Sequence, residues 1–148
     1  MITWAFAGPT EIGPLSRWVA NLIWPGKSRD FGNCQGMAVI DGETLIAGMI
    51  YHNFEPDAGV VEISGAGTDK RWLNRETLRV MFSVPFKDWG CQAVIMRVAD
   101  DNRPLHRMLK AYGFDHYTIP RLRGRDASEN IFVLTEEAWA GNKFNKRG

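Results

Sequence analysis

The sequence predicts an α/β fold. A mixed sheet starts with antiparallel strands, a central parallel βαβ unit splays it, and helices cover both faces. Three observations carry this expectation. Asp41-Gly42 joins two apolar runs, Gly36 to Ile40 and Thr44 to Phe54, and Asp-Gly in that setting is a strong hairpin signal. Val60 to Ala66, a helical stretch after Asn74, and Cys91 to Val98 follow as strand, helix and strand, so the two strands should be parallel. Ile12, Leu15, Val19, Leu22 and Ile23 recur at helical spacing.

In chain order, Ile2 to Ala7 alternates and reads as a first strand, ended by Gly8-Pro9. Thr10 is the expected N-cap of the first helix, with Glu11 in its first turn and Pro25-Gly26 as its stop. Trp24 to Asn33 is polar, basic and rich in helix breakers, hence a loop. Pro56-Asp57-Ala58-Gly59 turns the chain into the Val60 strand, which completes an antiparallel meander over residues 36–66. Asn74 caps a helix carrying Leu78, Met81, Phe82, Phe86 and Trp89, which Pro85 should kink and Gly90 should end. Asp100-Asp101-Asn102 caps another helix, with Pro104 in its first turn and a buried stripe of Leu105, Met108, Leu109 and Tyr112. After Gly113, Phe114 to Leu122 and Glu129 to Thr135 read as two strands around a charged loop, and residues 139–148 as a loose tail.

The 148 residues suit one domain, 1–148, able to bury a core without a metal or disulfide staple. With 45% apolar and 24% charged residues the chain reads as globular. Eighteen basic residues against 17 acidic ones leave a net charge of +1, which argues against a nucleic-acid or membrane-surface protein. No apolar run reaches the roughly 18–20 residues of a membrane span. The start, Met1-Ile2-Thr3-Trp4, lacks signal-peptide character, so the expected location is cytoplasmic. Cys34 and Cys91 read as reduced thiols with no sign of an activated nucleophile.

The order of elements, with Val61-Glu62-Ile63, Trp72-Leu73-Asn74-Arg75-Glu76, Asn102 to Gly113-Phe114 and Arg121-Leu122-Arg123, resembles the GNAT superfamily of acyl-CoA-dependent N-acetyltransferases. The likeness covers roughly residues 36–139. It is nearest to the branch of ribosomal-protein N-terminal acetyltransferases and to short GNAT proteins carried by phages. The resemblance implies acetyl-CoA as co-substrate, a primary amine as acceptor (a protein N-terminus, a lysine or a small amine) and direct attack in a ternary complex. Two positions depart from the family pattern. Arg71 to Glu76 replaces a glycine-rich pyrophosphate loop, with Asn74 and Glu76 where small residues are usual, and Leu109 stands where many members carry a tyrosine acid.

Acetyl transfer needs a held thioester, a deprotonated amine and a donor for the oxyanion. For holding, the free N–H groups at the helix start near Asn74 suit a pyrophosphate, and Lys70, Arg71 and Arg75 add cationic donors while Glu76 opposes them. The resemblance implies that the main chain of Ile63, Ser64 and Gly65, on to Gly67, meets the pantetheine arm, and that Leu73, Asn102 and Leu109 lie near the cofactor. It further implies Glu62 as base; His52, on the preceding strand, is the reserve base. Each position also has a plain structural reading: Glu62 as an outward carboxylate, His52 as a structural histidine, Asn102 as a helix cap.

Other signals are set aside. Gly26-Lys27-Ser28 lacks the leading glycine of a P-loop, since Asn21 stands there. The three histidines and two cysteines show no metal-ligand spacing, so no metal is expected. No Gly-x-Ser-x-Gly elbow occurs. Arg121, Arg123 and Arg125 read as a solvated loop or a steering patch for an acidic partner, and Trp24 and Phe31 as candidate walls of an acceptor pocket. The expected partners are acetyl-CoA and an amine, with no membrane and no nucleic acid; a homodimer stays open. The rival reading is a non-catalytic GNAT-fold binding or virion-associated protein with a degraded cofactor site. Asn74, Glu76 and Leu109 favour it, and a cofactor gap plugged by Trp72 or another bulky side chain would sink the enzymatic reading.

Overall fold

The computed structural model describes residues 1–144. Its strands are β1 (Ile2–Phe6), β2 (Cys34–Asp41), β3 (Thr44–Glu55), β4 (Val60–Gly67), β5 (Ala93–Val98), β6 (Asp115–Gly124) and β7 (Ala127–Thr135). The helices are α1 (Ile12–Ile23), α2 (Arg75–Ser83), α3 (Arg103–Tyr112) and α4 (Glu136–Gly141). The strands make a seven-stranded mixed sheet in the order β1-β2-β3-β4-β5-β7-β6, as the α/β expectation requires. One pair is parallel. The chain divides into two compact units, Met1–Phe54 with Glu62–Ser83, and Glu55–Val61 with the residues from Val84 on.

In the first unit the hairpin turns at Gly42, whose φ of +63° a side chain would resist, and pairs Asp41 with Thr44 through to Cys34 with His52. α1 seats on the face of β2 and β3 that carries Gly36 and Gly48. A Cβ on Gly48 would stand 2.6 Å from Val19 Cγ2, so the absent side chain is what admits the helix. Leu15, Val19, Ala20, Phe31 and Ile50 form the core there. On the opposite face Tyr51 donates its hydroxyl to the Met81 carbonyl at 2.6 Å, and burial pushes its phenol far above the usual range.

The caps differ in part from expectation. Glu11, not Thr10, is the N-cap of α1, and its carboxylate accepts from the Gly8 N–H at 2.8 Å instead of capping the helix. Asn74 does cap α2. Its Oδ1 accepts from the Thr77 N–H at 2.9 Å while Thr77 Oγ1 accepts from the Asn74 N–H at 3.0 Å, a reciprocal capping box. Asn74→Ala should lower the unfolding free energy by about 1 kcal/mol, measurable by urea denaturation.

The second unit resumes with a π-helical turn, Val84–Asp88, that contains Pro85, where the sequence predicts a kink. Cys91 lies outside β5, buried, with its N–H donated to the Pro85 carbonyl at 2.9 Å. On α3 the buried residues are His106, Leu109 and Tyr112; Leu105 and Met108 are only half-buried, so the stripe is rotated from the expected one. β6 and β7 reach a tight turn at Gly124–Ala127, so the expected charged loop is drawn into the hairpin, with a break in register between Ile119 and Gly124. The tail expected to be loose from 139 begins as α4, capped by Thr135, with Trp139 stacked on Phe86 at 4.9 Å. Residues 145–148 of that tail lie outside the described residues.

Candidate active site

Strands β3 and β4 bring the two expected bases together. Glu62 and His52 are 5% and 7% exposed, and a carboxylate so buried must be partnered. Asn53 Nδ2 donates to Glu62 Oε1 at 3.0 Å, and His52 Nε2 stands 3.7 Å from Glu62 Oε2. The same His52 nitrogen is 2.8 Å from Ser64 Oγ. Ser64, expected to act through its main chain, thus also uses its side chain. Phe31 leans on the His52 ring, centroids 4.9 Å apart, and Trp24 leans on Phe31 at 5.3 Å. The breaker-rich loop therefore supplies aromatic packing against His52. Arg29 lies over the Trp24 ring at 4.3 Å, a cation–π contact. Cys34 sits opposite His52 on β2, and burial raises its thiol, which makes it a poor nucleophile.

The residues expected at the pyrophosphate have other duties in part. Arg71 forms ion pairs with Asp69 at 2.6 Å and Asp41 at 2.7 Å. Its hydrogen bonds hold the Asp69 carboxyl down at about 2. Asn74 closes the capping box, and Thr77 Oγ1 donates to the Trp72 carbonyl at 2.6 Å, fixing the turn. Lys70, Arg75 and Glu76 are exposed and Leu73 is half-buried. Ile63 is 1% exposed and shares the α2-facing side of β4 with Gly65, where an added Cβ would strike Met49. A Cβ on Gly67 would meet Trp72 Cδ1 at 2.8 Å, so Trp72 already covers the last residue of β4.

In the second unit, Asn102 is the exposed N-cap residue of α3, the position expected for it, but its side chain makes no capping bond. Leu109 is 1% exposed in the core. Tyr112 is buried, stacks on Phe144 at 5.5 Å, and its phenol is raised by burial, so it offers no ready acid in place of the missing tyrosine. Arg123 donates to Glu129 at 2.9 Å, so the expected arginine cluster is partly neutralised. No group of three or more His, Cys, Asp or Glu able to hold a metal occurs among the described residues.

Sequence reasoning missed Asn53. Its signal was the polar pair His-Asn inside an otherwise apolar strand. The position of Phe31 depends on how a loop folds back, which spacing does not encode.

No family model matches the chain, and no curated protein matches it significantly. Solved structures do. The spermidine N-acetyltransferase SpeG of Vibrio cholerae, as its N152L mutant, superposes with a TM-score of 0.76 at 14% identity, over 95% of this chain and 96% of that one. A dodecameric structure of the same V. cholerae enzyme gives 0.75 at 12% identity, over 95% and 96%. A T. thermophilus protein assigned as an acetyltransferase gives 0.62 at 17% identity, over 89% of this chain and 68% of that one. The chain has the fold of the GNAT acetyltransferases.

Proposed function

We propose that this chain moves an acetyl group from acetyl-CoA to a primary amine, as a GNAT enzyme nearest to the ribosomal-protein N-terminal acetyltransferases and to short phage-borne relatives. The observation that carries the reading is the buried Glu62 carboxylate, with Asn53 on one oxygen, His52 near the other, and Phe31 against the His52 ring. Such a group takes a proton from an incoming ammonium. An α-amino group near 8 asks less of it than a lysine near 10. The amine nitrogen then attacks the thioester carbonyl and a C–N bond forms; as the C–S bond breaks, the proton that the nitrogen must still lose passes to the departing thiolate, giving the amide and free CoA thiol. A thiol near 8.5 is a good enough leaving group that the absent tyrosine acid costs little. The main chain of Ile63 to Gly65 supports the pantetheine arm, and the N–H groups at the start of α2 with Lys70 and Arg75 support the pyrophosphate. His52 serves as the reserve base. The neighbour SpeG is named for spermidine, so a polyamine belongs among the acceptors tested beside peptide N-termini and lysine.

The second reading, a binding protein that has lost the cofactor, is favoured by Arg71 tied to Asp69 and Asp41 and by Trp72 lying on Gly67. Calorimetric titration with acetyl-CoA separates the two. The enzyme reading expects saturable binding in the micromolar range; no heat at high micromolar acetyl-CoA supports the second.

A further inference from the structure

Within β3, side chains alternate between the two faces of the sheet. His52 lies on the α1 face, with Cys34 and Ile50. Tyr51 lies on the other, bonded to the Met81 carbonyl of α2. By alternation Asn53 belongs with Tyr51. Its amide nevertheless reaches Glu62 Oε1 at 3.0 Å, and the other oxygen of that carboxylate is 3.7 Å from His52. The backbone explains how. Asn53 has φ +51°, a left-handed conformation inside a strand, and asparagine adopts it more readily than most residues. That single twist cancels the alternation, so two consecutive side chains meet one carboxylate.

We infer that Asn53 is a positioning residue for Glu62, its left-handed backbone serving to turn the amide onto the carboxylate beside His52. His52 is itself anchored by Ser64 Oγ at 2.8 Å, so the carboxylate is fixed between an amide on one oxygen and an anchored imidazole on the other. Strain of this kind persists where the surrounding structure fixes it, and here it has a specific product: the direction of one buried carboxylate. The kinetic consequence rests on the acetyl-transfer reading; the geometry does not.

The test uses Asn53→Gly, which keeps the left-handed backbone and deletes the amide, and Asn53→Asp, which keeps size but removes the donor. With acetyl-CoA and an accepted amine, both should lower kcat about ten- to hundredfold with KM nearly unchanged, while the glycine variant melts close to the parent. A glycine variant with the parent's kcat overturns the inference. If the parent acetylates no amine, the function reading fails and a second readout decides. The Asn53 side-chain amide in a 15N spectrum should shift, and exchange faster with solvent, in Glu62→Ala. An amide unchanged in that variant overturns the inference.

Discussion

Glu62→Gln should cut kcat/KM about a hundredfold or more at pH 7 and much less at pH 9. The amide has nearly the shape of the carboxylate, and its carbonyl can still accept from Asn53, so the site should keep its form. What is lost is the ability to take a proton. At pH 7 almost every lysine-like acceptor, near 10, is an ammonium, and the variant must wait for the rare free amine. Raising the pH supplies that amine from solution and makes the base less necessary. The rescue should be fuller for an α-amino acceptor, near 8, which is mostly free at pH 9. Rates at both pH values, with melting curves to confirm folding, check this. An equal loss at pH 7 and pH 9 would remove Glu62 from the role of base.

Phe132→Ala should destabilise the protein by about 3–5 kcal/mol. Phe132 is fully buried on β7, stacked on His116 at 4.3 Å and edge-on to His106 at 5.1 Å. β7 lies between β5 and β6 and pairs with both, so the ring sits where two ladders share a strand. Removing it leaves a cavity that paired backbone on both sides cannot collapse to fill. His106 and His116 would also lose their apolar neighbour. His116 keeps its 2.8 Å contact with Asn130, so the loss should be mainly one of packing. For a chain of this size the melting temperature should fall by roughly 10 °C or more, read by calorimetry. A fall of only about a degree would show that the ring is not a keystone of this packing.

Much of the architecture was legible because it depends on short-range chemistry. Asp41-Gly42 demanded a hairpin, and the structure turns there with Gly42 at positive φ. Asn74 demanded a helix start, and it forms a capping box with Thr77. Pro85 demanded an interruption, which takes the form of a π-helical turn. What was not legible depends on partners distant in sequence. The rotation of α3 that buries His106 is set by Phe132 and His116, whose rings meet it across the sheet. Arg71 read as a phosphate ligand because charge at a helix start suits an anion. Its ties to Asp69 and Asp41 depend on the β2–β3 turn coming near, which no local pattern states. In the candidate site, Glu62 could be named through the family resemblance and His52 by its place on the preceding strand. The left-handed turn at Asn53 that aims one of them could not, because backbone twist of a single residue leaves no periodic trace.

The most direct measurement incubates the protein with acetyl-CoA and a panel of peptide N-termini, lysine and polyamines. Free CoA thiol and the acetylated amine are followed together. The account predicts that at least one amine gains a single acetyl group in step with thiol release, and that this turnover collapses in Glu62→Gln at pH 7. Acetyl-CoA that binds while thiol release stays at the no-enzyme background with every amine would contradict it.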